Sequence, residues 1–263
     1  MATIALTGST DGIGLAAART LLAQGHLVLI HGRNEQRGQP VVDVLAADPS
    51  CTGEAVLVTG DLSSLDEVRA LAGQLATHGP LDVLAHNAGV WVRGETPRVT
   101  VDGFETTFAV NVLAPHLLTA LLADQLTGRL LWLGSGTAGS GRPKPTALGG
   151  ERDPRQAYAD AKACDIALAL AWGRRLPGIA SAAVDPGWVR TKLASAGAPG
   201  AVEDGADTLA FCCTDAELAL APYWKDRRPA PVPGRLRDAG LQDAIAAACD
   251  RLAGLPARVV GGG

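Results

Sequence analysis

The sequence predicts an α/β fold of the doubly wound kind, a parallel sheet with helices on both faces, in a single domain over residues 1–260. Three observations carry the prediction. Short runs of β-branched and aliphatic residues recur at Ala2–Leu6, His26–His31, Glu54–Val58, Leu81–Ala85, Arg129–Leu133 and Ile179–Val184, with longer helix-compatible stretches between them. The runs lack strict polar alternation, as strands buried on both faces do. A glycine-rich turn joins the first run to the first helical stretch, the place where open α/β sheets receive ligands.

The helical stretches are Ile13–Gln24, Val41–Ala47, Ser64–Thr77, Asp102–Leu126, Pro154–Leu176, Val202–Cys213 and Leu241–Ala253, all rich in Ala and Leu. Right-handed crossovers lay such helices on both faces of the sheet. Leu220–Lys225 reads as a further edge strand. Ala194–Gly205 and Arg228–Gly234 are rich in Gly, Ala and Pro, and the region around 188–235 is expected to form a lid over a substrate. Gly261–Gly263 is expected to be a flexible tail.

Of the 263 residues 47% are hydrophobic and 19% charged, which provides for a substantial core. Lys and Arg total 23 against 27 Asp and Glu, and a net charge of -4 gives no general attraction for nucleic acid or anionic membranes, so neither is expected as a partner. The five cysteines form no C-x-x-C pair; reduced, mostly buried thiols and no metal site are expected. Ala2 leads straight into the first strand without a basic region or a long apolar stretch, so a cytoplasmic protein is expected.

Thr7-Gly8-Ser9-Thr10-Asp11-Gly12-Ile13-Gly14 follows a strand and opens a helix. Small residues there let the backbone approach a pyrophosphate, and the helix start offers free N–H groups and a positive dipole end. The alternative is a plain turn. After the second strand comes Gly32-Arg33-Asn34, with no Asp or Glu to hold a ribose 2′-hydroxyl; Arg33 suits a 2′-phosphate, so NADP(H) is the preferred cofactor and NAD(H) the alternative. Asp61-Leu62 and Asn87-Ala88-Gly89 fall at the carboxyl ends of the third and fourth strands and are expected beside the cofactor, a helix cap or a turn being the alternative for each.

Tyr158 and Lys162 form Y-x-x-x-K within a helical stretch, which sets both side chains on one face, one turn apart. A tyrosine useful near neutral pH needs its proton loosened by roughly two to three pKa units, about 3 to 4 kcal/mol, and an adjacent ammonium has the right sign. The pair has company in Ser135 after the fifth strand and Asn111 in the preceding helical stretch. On these residues the chain resembles the short-chain dehydrogenase/reductase family, with its T-G-x-x-x-G-I-G turn at Thr7–Gly14, its N-A-G at Asn87–Gly89, and its Asn-Ser-Tyr-Lys tetrad at Asn111, Ser135, Tyr158 and Lys162. Pro186-Gly187-Trp188-Val189-Arg190-Thr191 is similar to the family's P-G-x-x-x-T segment, which implies that Pro186, Gly187, Val189 and Thr191 lie on the nicotinamide side of the cofactor.

Three departures stand out: His86 precedes N-A-G where a second Asn is more frequent, Gly134-Ser135-Gly136 replaces a Ser-Ser pair, and the segment from Ser135 to Tyr158 is long. That length, with Asp102-Gly103-Phe104-Glu105 and Asn111-Val112-Leu113-Ala114-Pro115, resembles the retinol-dehydrogenase and protochlorophyllide-reductase-like branch. The resemblance implies a Rossmann-type oxidoreductase in which Tyr158 protonates a substrate oxygen as hydride arrives, Ser135 hydrogen-bonds that oxygen, Lys162 holds the ribose and loosens the tyrosine proton, and Asn111 positions a relay water. The family often pairs subunits through the helices that correspond to Asp102–Leu126 and Pro154–Leu176, so a homo-oligomer is one expectation and a monomer the alternative. An apolar ketone or aldehyde is the expected substrate, walled by Trp188, Leu193, Tyr223 and Trp224, with loop packing an equal alternative for the last two. Arg142-Pro143-Lys144 reads as a solvated loop before it reads as an anion contact. The rival readings are an NAD-linked alcohol dehydrogenase running oxidatively and a dinucleotide-sensing protein without chemistry.

Overall fold

The computed structural model describes residues 1–93, 99–191, 193, 197–214, 218 and 221–256. In chain order the elements are β1 (Thr3–Leu6), α1 (Gly12–Ala23), β2 (Leu27–Gly32), α2 (Glu35–Ala47), β3 (Glu54–Thr59), α3 (Leu65–Ala76), β4 (Leu81–His86), α4 (Thr106–Phe108), a π-helical turn (Ala109–Leu113), α5 (Ala114–Leu122), β5 (Leu126–Leu133), α6 (Pro154–Arg175), β6 (Ala180–Asp185), α7 (Val202–Thr214), β7 (Tyr223–Lys225), β8 (Arg228–Pro229) and α8 (Ala239–Leu252). One sheet runs in the order β3-β2-β1-β4-β5-β6-β7-β8. Every pairing is parallel except β7 with β8. The order reverses between β1 and β4, where ligands enter such sheets.

Alternate strand residues feed two cores. Ala5, Leu29, Leu84, Leu130 and Trp132 pack on the face covered by α3, α5, α6 and α8. Ile4, Leu6, Val28, Ile30, Val83, Ala85 and Leu131 pack on the face covered by α1, α2 and α7. The expected double winding is therefore present, and both faces of each central strand are apolar for that reason.

The sequence boundaries need correction in four places. α2 begins at Glu35 rather than Val41, because the Asn34 side chain caps it by accepting from Arg37 N at 3.1 Å and the helix then runs through Pro40. The stretch Asp102–Leu126 is not one helix: Gly103 turns with φ +83°, Glu105 caps α4 by accepting from Thr107 N and Phe108 N, and Leu126 already belongs to β5. The ladder is further broken at Pro115, which has no N–H to give the Asn111 carbonyl, and the chain passes through a π-helical turn just before it. Lastly, the region 188–235 is not wholly a lid, since α7, β7 and β8 within it belong to the layers of the fold. Leu220 of the expected edge strand, parts of the lid and the tail lie outside the described residues.

Thr106–Gln125 is long and apolar enough to cross a membrane by length and composition, but most of it is buried inside the protein, against the core it shares with α3, α6 and α8. None of the five cysteines is in a disulfide; Cys164, Cys212, Cys213 and Cys249 are buried and Cys51 is partly exposed.

Candidate active site

The turn after β1 is shaped by contacts that exclude side chains. Gly8 has φ +64°, and a Cβ there would stand 2.7 Å from Ala88 Cα. A Cβ on Gly14 would stand 2.3 Å from the Gly8 carbonyl. Asn87 closes the turn from β4, its Nδ2 donating to the Thr7 and Gly8 carbonyls at 2.9 and 3.0 Å, while Thr7 Oγ1 accepts from the N–H groups of Asn87 and Ala88. Ser9 Oγ donates to Leu6 O and accepts from His31 N. Asp11 caps α1 by accepting from Gly12 N, and the first turn of α1, with Ile13, holds no acidic side chain. A Cβ on Gly12 would find one neighbour within 4 Å, Thr191 Cγ2 at 3.7 Å, so this face of the turn is open backbone beside a helix start. Bare backbone and an N-terminal dipole suit a pyrophosphate, so the residues fit a dinucleotide.

His31 was not anticipated. It is the last residue but one of β2, and its ring bridges the glycine turn to the residue after β3: Nδ1 accepts from Gly8 N at 3.0 Å and Nε2 donates to Gly60 O at 2.9 Å. Burial lowers its pKa, in keeping with a neutral ring that must offer Nδ1 bare. Arg33 is half exposed and its Nε lies 3.4 Å from Asp61 Oδ2; Asp61 Oδ1 accepts from Ser63 N and Oγ. Asn34 spends its side-chain oxygen on α2, and the Leu62 side chain is in the core, so these two offer a ligand mainly backbone.

The chemical residues gather at the carboxyl ends of β4, β5 and β6. Asn111, in the π-helical turn, accepts from Val90 N at 2.7 Å and donates to Val90 O at 2.9 Å, which pins the segment after Gly89. Ser135 follows β5, its Oγ accepting from Thr137 N and Oγ1. The turn after it lies against α6 where a Cβ on Gly141 would meet Ala159 O at 2.3 Å. Tyr158 and Lys162 lie one turn apart on α6, with Nζ 5.9 Å from the tyrosine ring centre. Lys162 is buried and donates to Leu133 O at 2.7 Å and to Asp165 Oδ2 at 2.9 Å. A Cβ on Gly89 would stand 3.5 Å from Asn111 Oδ1 and 3.8 Å from Lys162 Nζ, so the N-A-G segment, the asparagine and the lysine meet at one point.

Trp91 was also missed. Its ring stacks on Tyr158 with centroids 5.0 Å apart and planes 19° from parallel, Nε1 donates to Pro154 O, and Arg93 stands over the indole while donating to Leu193 O. Beyond β6, Asp185 accepts from Gly187 N at 2.9 Å and from Tyr223 Oη at 3.2 Å. Val189 is buried and bridges to Gly200, Thr191 packs on Gly12, and Pro186 O faces Gly205 of α7. The expected aromatic wall is reduced by this arrangement: Tyr223 and Trp224 are core residues of β7, whereas Trp188 is 62% exposed. Arg142 is tied to the Gly139 and Gly141 carbonyls rather than held for an anion.

The family model for short chain dehydrogenases matches residues 2–199. The chain belongs to the short-chain dehydrogenase/reductase family. A Streptomyces sp. protein named as a candidate daunorubicin C-13 ketoreductase, DnrU, is 35% identical over 91% of this chain and 88% of its own length. Retinol dehydrogenase 12 of Bos taurus is 33% identical over 72% of this chain and 62% of its own, in keeping with the retinol-dehydrogenase-like branch of this oxidoreductase family. Among solved structures, an uncharacterised Mycobacterium paratuberculosis protein superposes with a TM-score of 0.83 at 25% identity, covering 97% of this chain and 94% of its own. A short-chain dehydrogenase of Burkholderia cenocepacia solved with NADP has a TM-score of 0.68 at 26% identity, covering 84% of this chain and 94% of its own.

Proposed function

We propose that this short-chain dehydrogenase is an NADP(H)-dependent reductase of a ketone or aldehyde on an apolar small molecule, with Tyr158 as the group that gives a proton to the substrate oxygen. The observation that carries the reading is the meeting of Gly89, Asn111 and the buried ammonium of Lys162 beside Tyr158, with the open glycine turn at the neighbouring strand end. Gly8–Gly14, Asn87–Gly89, Pro186, Gly187, Val189 and Thr191 would hold the dinucleotide, with backbone from Asp61, Leu62 and Asn34 near its adenosine end. When bound, the nicotinamide supplies the hydride.

The chain's own residues do the rest. Lys162, with two of its three N–H groups spent inside the protein, has one to offer a ribose hydroxyl. Ser135 Oγ offers its proton to the substrate oxygen, and Tyr158 Oη gives up the proton that balances the arriving hydride. Pro115 leaves the Asn111 carbonyl without its helical donor, and that carbonyl holds the water that re-protonates the site. The NADP preference rests on Arg33 standing where no carboxylate ends β2. The NADP complex of the Burkholderia relative and the ketoreductase name of DnrU support the same reading.

The test is fluorescence titration with NADPH and NADH, followed by cofactor oxidation against apolar ketones, aldehydes and quinones. NADPH is expected to bind more tightly, and Arg33→Ala to lower that preference about tenfold, the loss of one charge-assisted contact. Tyr158→Phe is expected to bind NADPH normally and to turn over no substrate. An unchanged preference or a working phenylalanine variant overturns the corresponding part.

A further inference from the structure

Asp165 lies one turn beyond Lys162 on α6, and the two side chains are only 3% and 5% exposed. Nothing so far gives this carboxylate a task. Oδ2 takes a proton of the lysine ammonium at 2.9 Å, while Oδ1 is buried without a hydrogen-bond partner. The ammonium is thus clamped from two sides, by Asp165 and by the Leu133 carbonyl at the end of β5. A buried cation with its counter-ion in contact exerts a weaker field on a third group than the same cation alone.

We propose that Asp165 is a positioning residue for Lys162, which fixes the ammonium at the end of β5 and offsets part of its charge at Tyr158, so that the phenol holds its proton for a carbonyl oxygen rather than taking one from an alcohol. The inference rests on the reading of Tyr158 as proton donor and gives that reading a direction, reduction.

Both members of the pair are charged near neutral pH. Burial pushes the Asp165 carboxyl up to about 6 in spite of Lys162. Burial works against the ammonium, yet Asp165 and Tyr158 together hold Lys162 above its ordinary value. The other ionisable neighbours do not replace Asp165 in this task. Cys164 on the same helix and Cys249 on α8 feel Asp165, but burial pushes both thiols up, which keeps them neutral. Asp160 on α6 is engaged with Arg142 N, Gln156 and Arg152, and Asp185 on β6 with Gly187, Tyr223 and Lys225. Arg93 reaches Tyr158 only through the Trp91 ring.

The chain contains two tyrosines, and this makes the test direct. Burial and then the Asp185 carboxylate push Tyr223 well up, and Tyr158→Phe identifies the Tyr158 step in an ultraviolet pH titration by removing it. Asp165→Asn keeps an oxygen for Lys162 and deletes the charge. The step that Tyr158→Phe removes is expected to move down by about one pH unit in Asp165→Asn, as for removal of one nearby charge. Asp165→Ser, which removes the charge by a different side chain, is expected to move it the same way and carries the test should the amide variant not fold. A step that stays in place in a folded variant overturns the proposal, because a carboxylate that only props up the helix is replaced by its amide without effect on Tyr158. The readout needs neither cofactor nor substrate, so a failure here is distinct from a failure of NADPH turnover.

Discussion

The Tyr158 ring is held in plane by Trp91, and the indole is itself fixed by a hydrogen bond to Pro154 O at 3.0 Å. An aromatic pair of this kind is worth about 1 kcal/mol. Trp91→Ala is therefore expected to lower kcat by about fivefold, the same quantity expressed as a rate, with NADPH affinity unchanged. Equal losses in cofactor titration and in kcat would mean that Trp91 holds the cofactor loop instead of the tyrosine. At this scale the sequence was most and least informative at once. The glycine turn and the Tyr158–Lys162 pair stood out by position and spacing, whereas Asn111 and Ser135 joined them only through the resemblance to the family. Trp91, His31 and Asp165 were not legible, because each acts through another residue. Of the three, Asp165 left a usable trace, its spacing of three residues from Lys162 on one helix.

Between β4 and β5, a single proline decides the form of an element. Pro115 removes the N–H that would close on Asn111 O, and the helix is interrupted where the site needs an asparagine aimed at Val90. Pro115→Ala restores the missing donor. It is expected to leave the melting temperature equal or higher and to lower kcat about tenfold, as for a weakened proton relay; unchanged kcat would remove the Asn111 carbonyl from the mechanism. Apolar patterning alone could not find this break, since Val110, Val112, Leu113, Leu117 and Leu118 are buried through it. The α2 boundary was misplaced for the converse reason: Pro40 and the polar residues 35–39 suggest loop, yet the Asn34 cap supports a helix whose Gly38 fits against Leu57 of β3.

For the molecule as a whole, buried histidines set the response to acid. His86 Nε2 donates to Thr119 Oγ1, whose own proton goes to Pro115 O, so Nδ1 is the bare nitrogen, buried and without a partner. Burial, then the neighbouring His116, lowers its pKa from 6.5 to about 3. Between these values the unfolded chain takes up a proton that the folded chain refuses, so stability falls as pH drops below about 6.5, by about 1.4 kcal/mol per unit. His31 acts in the same direction. Asp165 opposes both, because its raised carboxyl binds a proton in the folded chain first, between about 6 and its ordinary 3.8. Urea unfolding at pH 7 and pH 5 separates the terms: His86→Asn is expected to lose about 2 kcal/mol less than wild type between the two. Equal losses would show that His86 titrates freely.

The cysteines carry a consequence of another kind. Burial raises the thiols of Cys164, Cys213 and Cys249, and Cys212 is equally enclosed, so none of the four is open to a thiol reagent in the native chain. Cys51, between α2 and β3, is the one partly open thiol. A maleimide dye would therefore attach at a single place in the native chain, on the edge of the sheet that begins with β3, and would make that edge visible to single-molecule fluorescence without removing any cysteine.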